Sequence, residues 1–149
     1  MSGAKSRNKG ANFERLIAKD LTELTGFAFG RSLTQTRGGG TEAADICLKN
    51  GDDHKALDRL HFELKHHKKA SATPAWKQAT ADCKVSGRVP IVITKSDREQ
   101  PKVTMTQAQF YLFAQSWVHS QTNLLTDKTV TISYDLFKEM LLPWIETNS

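Results

Sequence analysis

The sequence predicts a single domain that mixes α-helices and β-strands, an α/β fold, and three observations support this prediction. Apolar residues near the N-terminus recur at the three-to-four-residue spacing of an amphipathic helix. Two later segments alternate apolar and polar residues in period two, as expected of paired strands. A helical segment and a short apolar run then follow, which indicates a helix–strand crossover unit.

The composition is that of an ordinary globular protein. The chain has 149 residues, of which 38% are hydrophobic and 25% are charged. This length fits one domain that can bury a core without disulfides or a structural metal, and disorder throughout is excluded. No apolar run approaches the roughly 18 residues of a membrane span, and residues 1–10 lack the apolar stretch of a signal peptide. We therefore expect a cytoplasmic protein in which Cys47 and Cys83 are reduced thiols.

Positive charge is concentrated in two segments of the chain. Lys and Arg number 21 against 16 Asp and Glu, which gives a formal net charge of +5. Basic residues gather within residues 1–10 and again within residues 61–69, where histidines are interleaved. Such clusters attract polyanions, although Lys and Arg also simply solvate a surface. Residues 1–10 are polar and contain glycine, so we expect a flexible basic arm ahead of one domain at residues 11–149.

The first part of the chain predicts a helix followed by a hairpin. Helix one is expected to begin near residues 8–11 and to end at Gly26, where a left-handed residue closes a helix. Residues 27–36 are a weak strand candidate that runs into three consecutive glycines. Residues 45–49 and 59–65 then alternate in period two and predict the two strands of the hairpin.

The second part of the chain predicts further helices and strands. Residues 74–85 fit a helix with proline near its first turn, and residues 90–94 fit a buried strand. Residues 103–106 and 130–133 resemble each other, and each looks like a strand that enters a helix capped by the hydroxyl of its last residue. One such pair does not indicate a repeat architecture. The aromatic residues of these helices are expected in the core.

The hairpin register brings the candidate catalytic residues together. Placing Asp45 opposite Glu63 also sets Ile46 against Phe62, and every apolar pair then falls on one face. Alternate strand residues point the same way, so the opposite face collects the charged side chains. That face carries Asp45, Cys47, His61, Glu63 and Lys65. A one-residue slip would place these charges in the core, which favours the chosen register.

The charged face of the hairpin predicts a metal site. Two adjacent carboxylates in a partly desolvated site repel each other unless a cation lies between them. Oxygen ligands from Asp45, Glu63 and the backbone carbonyl of Leu64 suit Mg²⁺ or Mn²⁺, which complete their shells with water and phosphate. Lys65 would hold or deprotonate the attacking water, or stabilise negative charge on phosphorus. The substrate class implied is a phosphodiester.

The order of these elements along the chain resembles a known superfamily. A Glu-x-Lys triplet alone is a weak signal because charged residues are common. The chain resembles the PD-(D/E)xK nuclease superfamily, in particular archaeal-type Holliday junction resolvases and related phage endonucleases. Over about residues 8–95 the matching elements are, in order, Lys9-Gly10, Phe13-Glu14-Arg15, Arg37-Gly38, Asp45-Ile46, Glu63-Leu64-Lys65, Trp76 with Gln78, and Pro90-Ile-Val-Ile93. The chain departs from the superfamily at Ala44, where proline is expected, and residues 100–149 match no element of it.

The resemblance implies a restriction-endonuclease-like core, with a central mixed β-sheet flanked by α-helices and extra C-terminal elements at residues 100–149. It implies a Mg²⁺-dependent endodeoxyribonuclease with Asp45 and Glu63 as metal ligands and Lys65 as the catalytic lysine. Glu14 would reach the site from helix one, and Gln78 would support it from the following helix. A homodimer acting on branched DNA is also implied, because two strands must be cut across a junction. The residues expected to contact phosphate are Lys9, Arg31, Arg37, Lys68 and Lys69.

The sequence leaves three other functions open. A nuclease of the same superfamily could instead cut or nick linear duplex DNA. A protein whose hairpin merely displays charge would bind nucleic acid in a steeply salt-dependent way and cut nothing. A structural protein of a phage or mobile element would not bind DNA even at low salt.

Overall fold

Helices are interspersed among the strands in the described parts of the chain. The structure, a computed structural model, describes residues 2–32, 44–118 and 129–149. In chain order the elements are α1 (Ser2–Thr25), β1 (Phe29–Arg31), β2 (Ile46–Leu48), β3 (Leu60–His67), α2 (Ala72–Ser86), β4 (Val89–Ser96), β5 (Lys102–Thr106), α3 (Gln107–Val118), β6 (Thr129–Ser133) and α4 (Tyr134–Thr147). A 3₁₀ turn at Leu57–Arg59 precedes β3. None of the helices in the described ranges is long and apolar enough to cross a membrane.

The described strands form one six-stranded mixed sheet in the order β1-β2-β3-β4-β5-β6. Strands β3 and β4 are parallel, and the other neighbouring pairs are antiparallel. A parallel neighbour requires a crossover, which α2 supplies between β3 and β4. The predicted α/β class, with a central mixed sheet and flanking helices, is confirmed.

The main core lies between one face of the sheet and α1, α3 and α4. Leu60, Phe62 and Leu64 of β3 point into this core, and Ile46 lies opposite Phe62. The helical residues buried there include Phe13, Ile17, Leu21, Phe113, Phe137, Met140 and Leu141. Helix α2 covers the other face of the sheet, against which it buries Ala75 and Ala79.

The N-terminal segment differs from the prediction. Residues 2–10, expected as a flexible arm, are the first turns of α1, which begins at Ser2 rather than near residues 8–11. Alanine, lysine and arginine are good helix formers, and extending a helix costs far less than nucleating one. Gly26 ends the helix as predicted, with φ at 78°. Its N–H donates to the Thr22 carbonyl oxygen at 2.9 Å.

The described residues of segment 100–149, which the resemblance left unassigned, complete the same sheet and core. Strands β5 and β6 pair antiparallel, and α3 and α4 follow them. The predicted caps are present, because the Thr106 hydroxyl accepts from the Gln109 N–H at 3.1 Å and the Ser133 hydroxyl from the Leu136 N–H at 3.2 Å. Phe113 packs edge-on against other aromatic rings of this region. These described elements therefore share the sheet and core of the rest of the chain.

Candidate active site

The pairing of β2 with β3 fixes the position of Asp45. Ile46 lies opposite Phe62, which is the predicted register. The Asp45 N–H donates to the Phe62 carbonyl oxygen at 2.8 Å. Its Oδ2 accepts a hydrogen bond from the Leu64 N–H at 2.7 Å. Hydrogen bonds to the backbone of Phe62 and Leu64, the residues on either side of Glu63, therefore hold Asp45 next to Glu63.

Glu63 is a buried carboxyl group with an unusual environment. Its side chain is 1% exposed, and Asp45 is 8% exposed. Burial, and then the charge of Asp45, raise the pKa of Glu63 to about 7, although Lys65 opposes this shift. Lys65 Nζ lies 2.8 Å from Glu63 Oε1. The other oxygen, Oε2, has no hydrogen-bond donor among the described residues.

Lys65 lies at the more open end of the charged face. Its side chain is 32% exposed, so it contacts both Glu63 and solvent. Burial by itself lowers the pKa of Lys65, but the hydrogen bond to Glu63 and the carboxylates of Glu63, Asp45 and Glu14 raise it above its ordinary value. Lys65 is therefore a cation at neutral pH.

Glu14 approaches the same region from α1. Its carboxylate forms an ion pair with Arg31 of β1. It also contributes to the raised pKa of Lys65, so it lies within electrostatic range of that ammonium group. The structure therefore brings Glu14 to the edge of the cluster formed by Asp45, Glu63 and Lys65.

The other predicted residues that the structure describes are exposed or form an ion pair outside this cluster. Gln78 is exposed on α2, and no hydrogen bond joins it to a described residue of the cluster. Lys9 forms an ion pair with Asp97, which lies 3.1 Å from His66 Nε2. Lys68 and Lys69 are exposed just beyond the end of β3. Arg37 lies outside the described residues.

Two further buried side chains extend the site beneath α2. His61 on β3 is 0% exposed, and Asp82 on α2 is 6% exposed. Ligand atoms of His61, Glu63 and Asp82 all lie within 4.8 Å of one another. Sequence reasoning placed His61 on the charged face without a role and missed Asp82. A signal was available, because Asp82 shares the buried stripe of α2 with Ala75 and Ala79 at helical spacing.

The protonation state of the His61 imidazole follows from its burial. Desolvation lowers the pKa of His61, although the carboxylates of Asp82 and Asp45 act in the opposite direction. The imidazole is therefore neutral at neutral pH. A neutral imidazole is the form that binds metal ions.

The residues of the site fit a divalent cation. Asp45 and Glu63 are both buried and adjacent, which is unfavourable for two anions without a cation between them. Lys65 contacts one oxygen of Glu63, while Oε2 lacks a donor among the described residues. Hard carboxylate oxygens are the donors that Mg²⁺ and Mn²⁺ prefer.

Comparisons with known proteins identify the family of the chain. A family model described as "Phage putative PDDEXK endonuclease" matches residues 5–147. Among solved structures, the chain is similar to Archaeoglobus fulgidus Hjc, a Holliday junction resolvase from an archaeal hyperthermophile. That likeness has a TM-score of 0.47 at 19% identity and covers 89% of this chain and 98% of the other. No curated protein matches the chain significantly. The family match spans nearly the whole sequence and confirms the resemblance found there, so the chain belongs to this phage PDDEXK endonuclease family of the PD-(D/E)xK nucleases.

Proposed function

We propose that the chain is a metal-dependent endodeoxyribonuclease that hydrolyses phosphodiester bonds in branched DNA, such as a four-way junction. The observation that carries this proposal is the buried pair of Asp45 and Glu63. The Leu64 N–H donates to Asp45, and Lys65 forms an ion pair with Glu63. Family membership supports nuclease activity. The order of motifs, which resembles that of junction resolvases, supports the branched substrate.

Asp45 and Glu63 would hold the cation, together with the backbone carbonyl of Leu64. Mg²⁺ is the proposed cofactor, and Mn²⁺ is its substitute. When bound, the cation lowers the pKa of a coordinated water and neutralises charge on the leaving oxygen. The Leu64 N–H already holds one oxygen of Asp45, which orients this carboxylate before any ion binds.

Lys65 would act directly on the substrate or on the attacking water. Its ammonium group carries three donors and forms an ion pair with Glu63, with Nζ 2.8 Å from Oε1. The remaining donors can hold the water or bind an oxygen of the reacting phosphate. Because its side chain is partly exposed, Lys65 can reach a DNA backbone that approaches from solvent.

Glu14 and Gln78 would support this reaction from the two flanking helices. Glu14 adds negative charge near Lys65 and keeps the Arg31 guanidinium at the edge of the site. A guanidinium in that position can bind phosphate through two parallel hydrogen bonds. Gln78 would act from the exposed side of α2.

Basic residues around the site would bind the DNA backbone. The proposed phosphate contacts are Lys9, Arg31, Arg37, Lys68 and Lys69. Exposed lysines beyond the end of β3 can bind phosphate without base preference. We also propose a homodimer, because a symmetric enzyme can cut two strands of a symmetric junction.

The test compares a labelled four-way junction with a linear duplex of matching sequence. Each is incubated with protein and Mg²⁺, with protein and EDTA, and with the Glu63→Gln variant and Mg²⁺. Glu146→Gln is the matched control, because it makes the same chemical change at an exposed position of α4. We expect only the unmodified protein and Glu146→Gln to cut, only with metal, and the junction faster than the duplex. Paired cuts would support the dimer.

Two other results would change the assignment. Equal cutting of junction and duplex would indicate a duplex-cutting or nicking nuclease of the same superfamily. Binding without cleavage in either Mg²⁺ or Mn²⁺ would indicate a nucleic-acid-binding protein, and the catalytic proposal would be wrong.

A further inference from the structure

We infer that His61, Glu63 and Asp82 form a second divalent-cation site, which shares Glu63 with the first and takes a first-row transition ion such as Mn²⁺ or Zn²⁺. The proposed function uses Asp45, Glu63 and Lys65 and gives no role to His61 or Asp82. The inference therefore goes beyond that function, and it can fail while the nuclease proposal stands.

The environment of His61 is the first observation. Its side chain is 0% exposed. Neither ring nitrogen has a hydrogen-bond partner among the described residues. Buried polar groups are nearly always paired, so an imidazole with two unpaired nitrogens indicates that an ion or a water molecule belongs beside it.

The geometry of the trio is the second observation. The ligand atoms of His61, Glu63 and Asp82 lie within 4.8 Å of one another, and the residues come from two elements, β3 and α2. Donor atoms around an ion at about 2.1 Å lie up to about 4.2 Å apart. Small side-chain movements would therefore close the trio on one ion.

The balance of charge is the third observation. Glu63 and Asp82 approach each other in the buried trio. Asp45, also buried, is held beside Glu63 by hydrogen bonds to the Phe62 carbonyl oxygen and the Leu64 N–H. Lys65 forms an ion pair with Glu63, but it lies at the partly exposed end of the charged face. Three buried carboxylates, those of Asp45, Glu63 and Asp82, favour the binding of a divalent cation within the cluster.

The donor set selects the kind of ion. One imidazole nitrogen with two carboxylates suits Mn²⁺ or Zn²⁺ better than Mg²⁺, which prefers oxygen ligands and retains its waters. The Asp45–Glu63 site offers oxygen donors and suits Mg²⁺. The two sites should therefore differ in which ion they retain.

The experiment counts the Mn²⁺ ions bound by EDTA-treated full-length protein, using electron paramagnetic resonance of the unbound ion. We expect two ions per chain in the unmodified protein and one each in His61→Asn, Asp82→Asn and Asp45→Asn. Excess Mg²⁺ should displace only one of the two ions. Loss of a ligand should lower the affinity for the second ion by about tenfold or more.

The matched control for His61→Asn is His54→Asn. His54 is also a buried histidine, but its Nδ1 accepts the Ala56 N–H at 3.2 Å, away from the trio. We expect His54→Asn to bind two ions. Circular dichroism shows whether each variant is folded before its ions are counted.

A measurement on the unmodified protein does not depend on variants. Anomalous diffraction from crystals soaked in Mn²⁺ should show one peak between Asp45 and Glu63 and a second between His61 and Asp82. One bound ion in the unmodified protein, or two in both folded trio variants, would overturn the inference and assign a water molecule to the trio. Neither result would bear on cleavage with Mg²⁺, which tests the nuclease proposal separately.

Discussion

Alternate residues of β3 face two different environments. The apolar face consists of Leu60, Phe62 and Leu64, which enter the core beneath α1, α3 and α4. The charged face consists of His61, Glu63 and Lys65, on the side of the sheet that α2 covers. Both faces are largely buried, but only the apolar face gains free energy from that burial.

In a single strand, residues that stabilise the fold and residues that carry the candidate chemistry are therefore separated by one position along the chain. Apolar side chains on one face anchor the strand in the core, so the strand remains in place while the other face carries unfavourable charges. The raised pKa of Glu63 shows the cost of placing its carboxylate there. Groups whose pKa is strongly shifted by burial and a neighbouring charge cluster at functional sites.

Lys65→Met gives the largest expected effect, on the charged face. We expect cleavage in Mg²⁺ to fall by about 10²- to 10⁴-fold, because no other described cation contacts Glu63 and the reacting phosphate loses a donor. Single-turnover cleavage of a labelled junction measures this. Lys55→Met, at an exposed position outside the site, is the control and should retain activity. A Lys65→Met rate within tenfold of the unmodified protein would remove Lys65 from the mechanism.

Phe62→Ala tests the apolar face. Phe62 is fully buried, so truncation should lower the free energy of unfolding by about 3–5 kcal/mol. Urea denaturation followed by circular dichroism measures the change. Leu112→Ala removes an exposed apolar side chain on α3 and should change stability by less than about 0.5 kcal/mol. Equal effects of the two substitutions would contradict the assignment of Phe62 to the core.

Glu63→Gln should raise the free energy of unfolding, in contrast to Phe62→Ala, when metal is removed with EDTA. The native state holds the Glu63 proton up to about pH 7, whereas the unfolded chain releases it near the ordinary value of 4.5. The metal-free protein therefore loses stability as pH rises across this window. At pH 8 the substitution should stabilise the protein by up to about 3 kcal/mol, and the gain should shrink towards pH 5. Thermal melts at the two pH values measure this, and lower stability of Glu63→Gln at pH 8 would contradict it.

The smallest expected effect lies beyond the end of β3. Replacing Lys68 and Lys69 together with alanine should weaken DNA binding similarly for all sequences. The slope of log affinity against log salt should become shallower by about two. Fluorescence anisotropy at several salt concentrations measures the slope, with Lys102→Ala on β5 as the control. An unchanged slope would place the DNA path elsewhere.

Local sequence patterns predicted most elements because their causes are local. Alternation fixed the hairpin register, since only one pairing keeps Ile46 and Phe62 on the same buried face. Hydroxyl caps at Thr106 and Ser133 marked the starts of the last two helices. The predicted start of α1 near residues 8–11 was wrong, because the first ten residues can extend a helix but do not signal its start.

The proximity of the candidate site residues was predicted where they lie on the hairpin, but the sequence did not place Asp82 of α2 beside them. Asp45, Glu63 and Lys65 lie on paired strands, so their proximity follows from register alone. Asp82 reaches Glu63 only because the crossover lays α2 over the charged face. Spacing within α2 marks Asp82 as buried, but it does not show which strand residues it meets.

The α/β class, the hairpin register and the adjacent carboxylates follow from the sequence alone, since each depends on patterns of a few residues. Other features depend on tertiary packing: Glu14 pairs with Arg31, Gln78 is exposed, and the described residues of segment 100–149 complete the sheet and core. Tertiary packing also brings His61 to Asp82. These contacts join residues far apart in the chain, and their formation depends on how whole helices pack on the sheet, which no local pattern specifies.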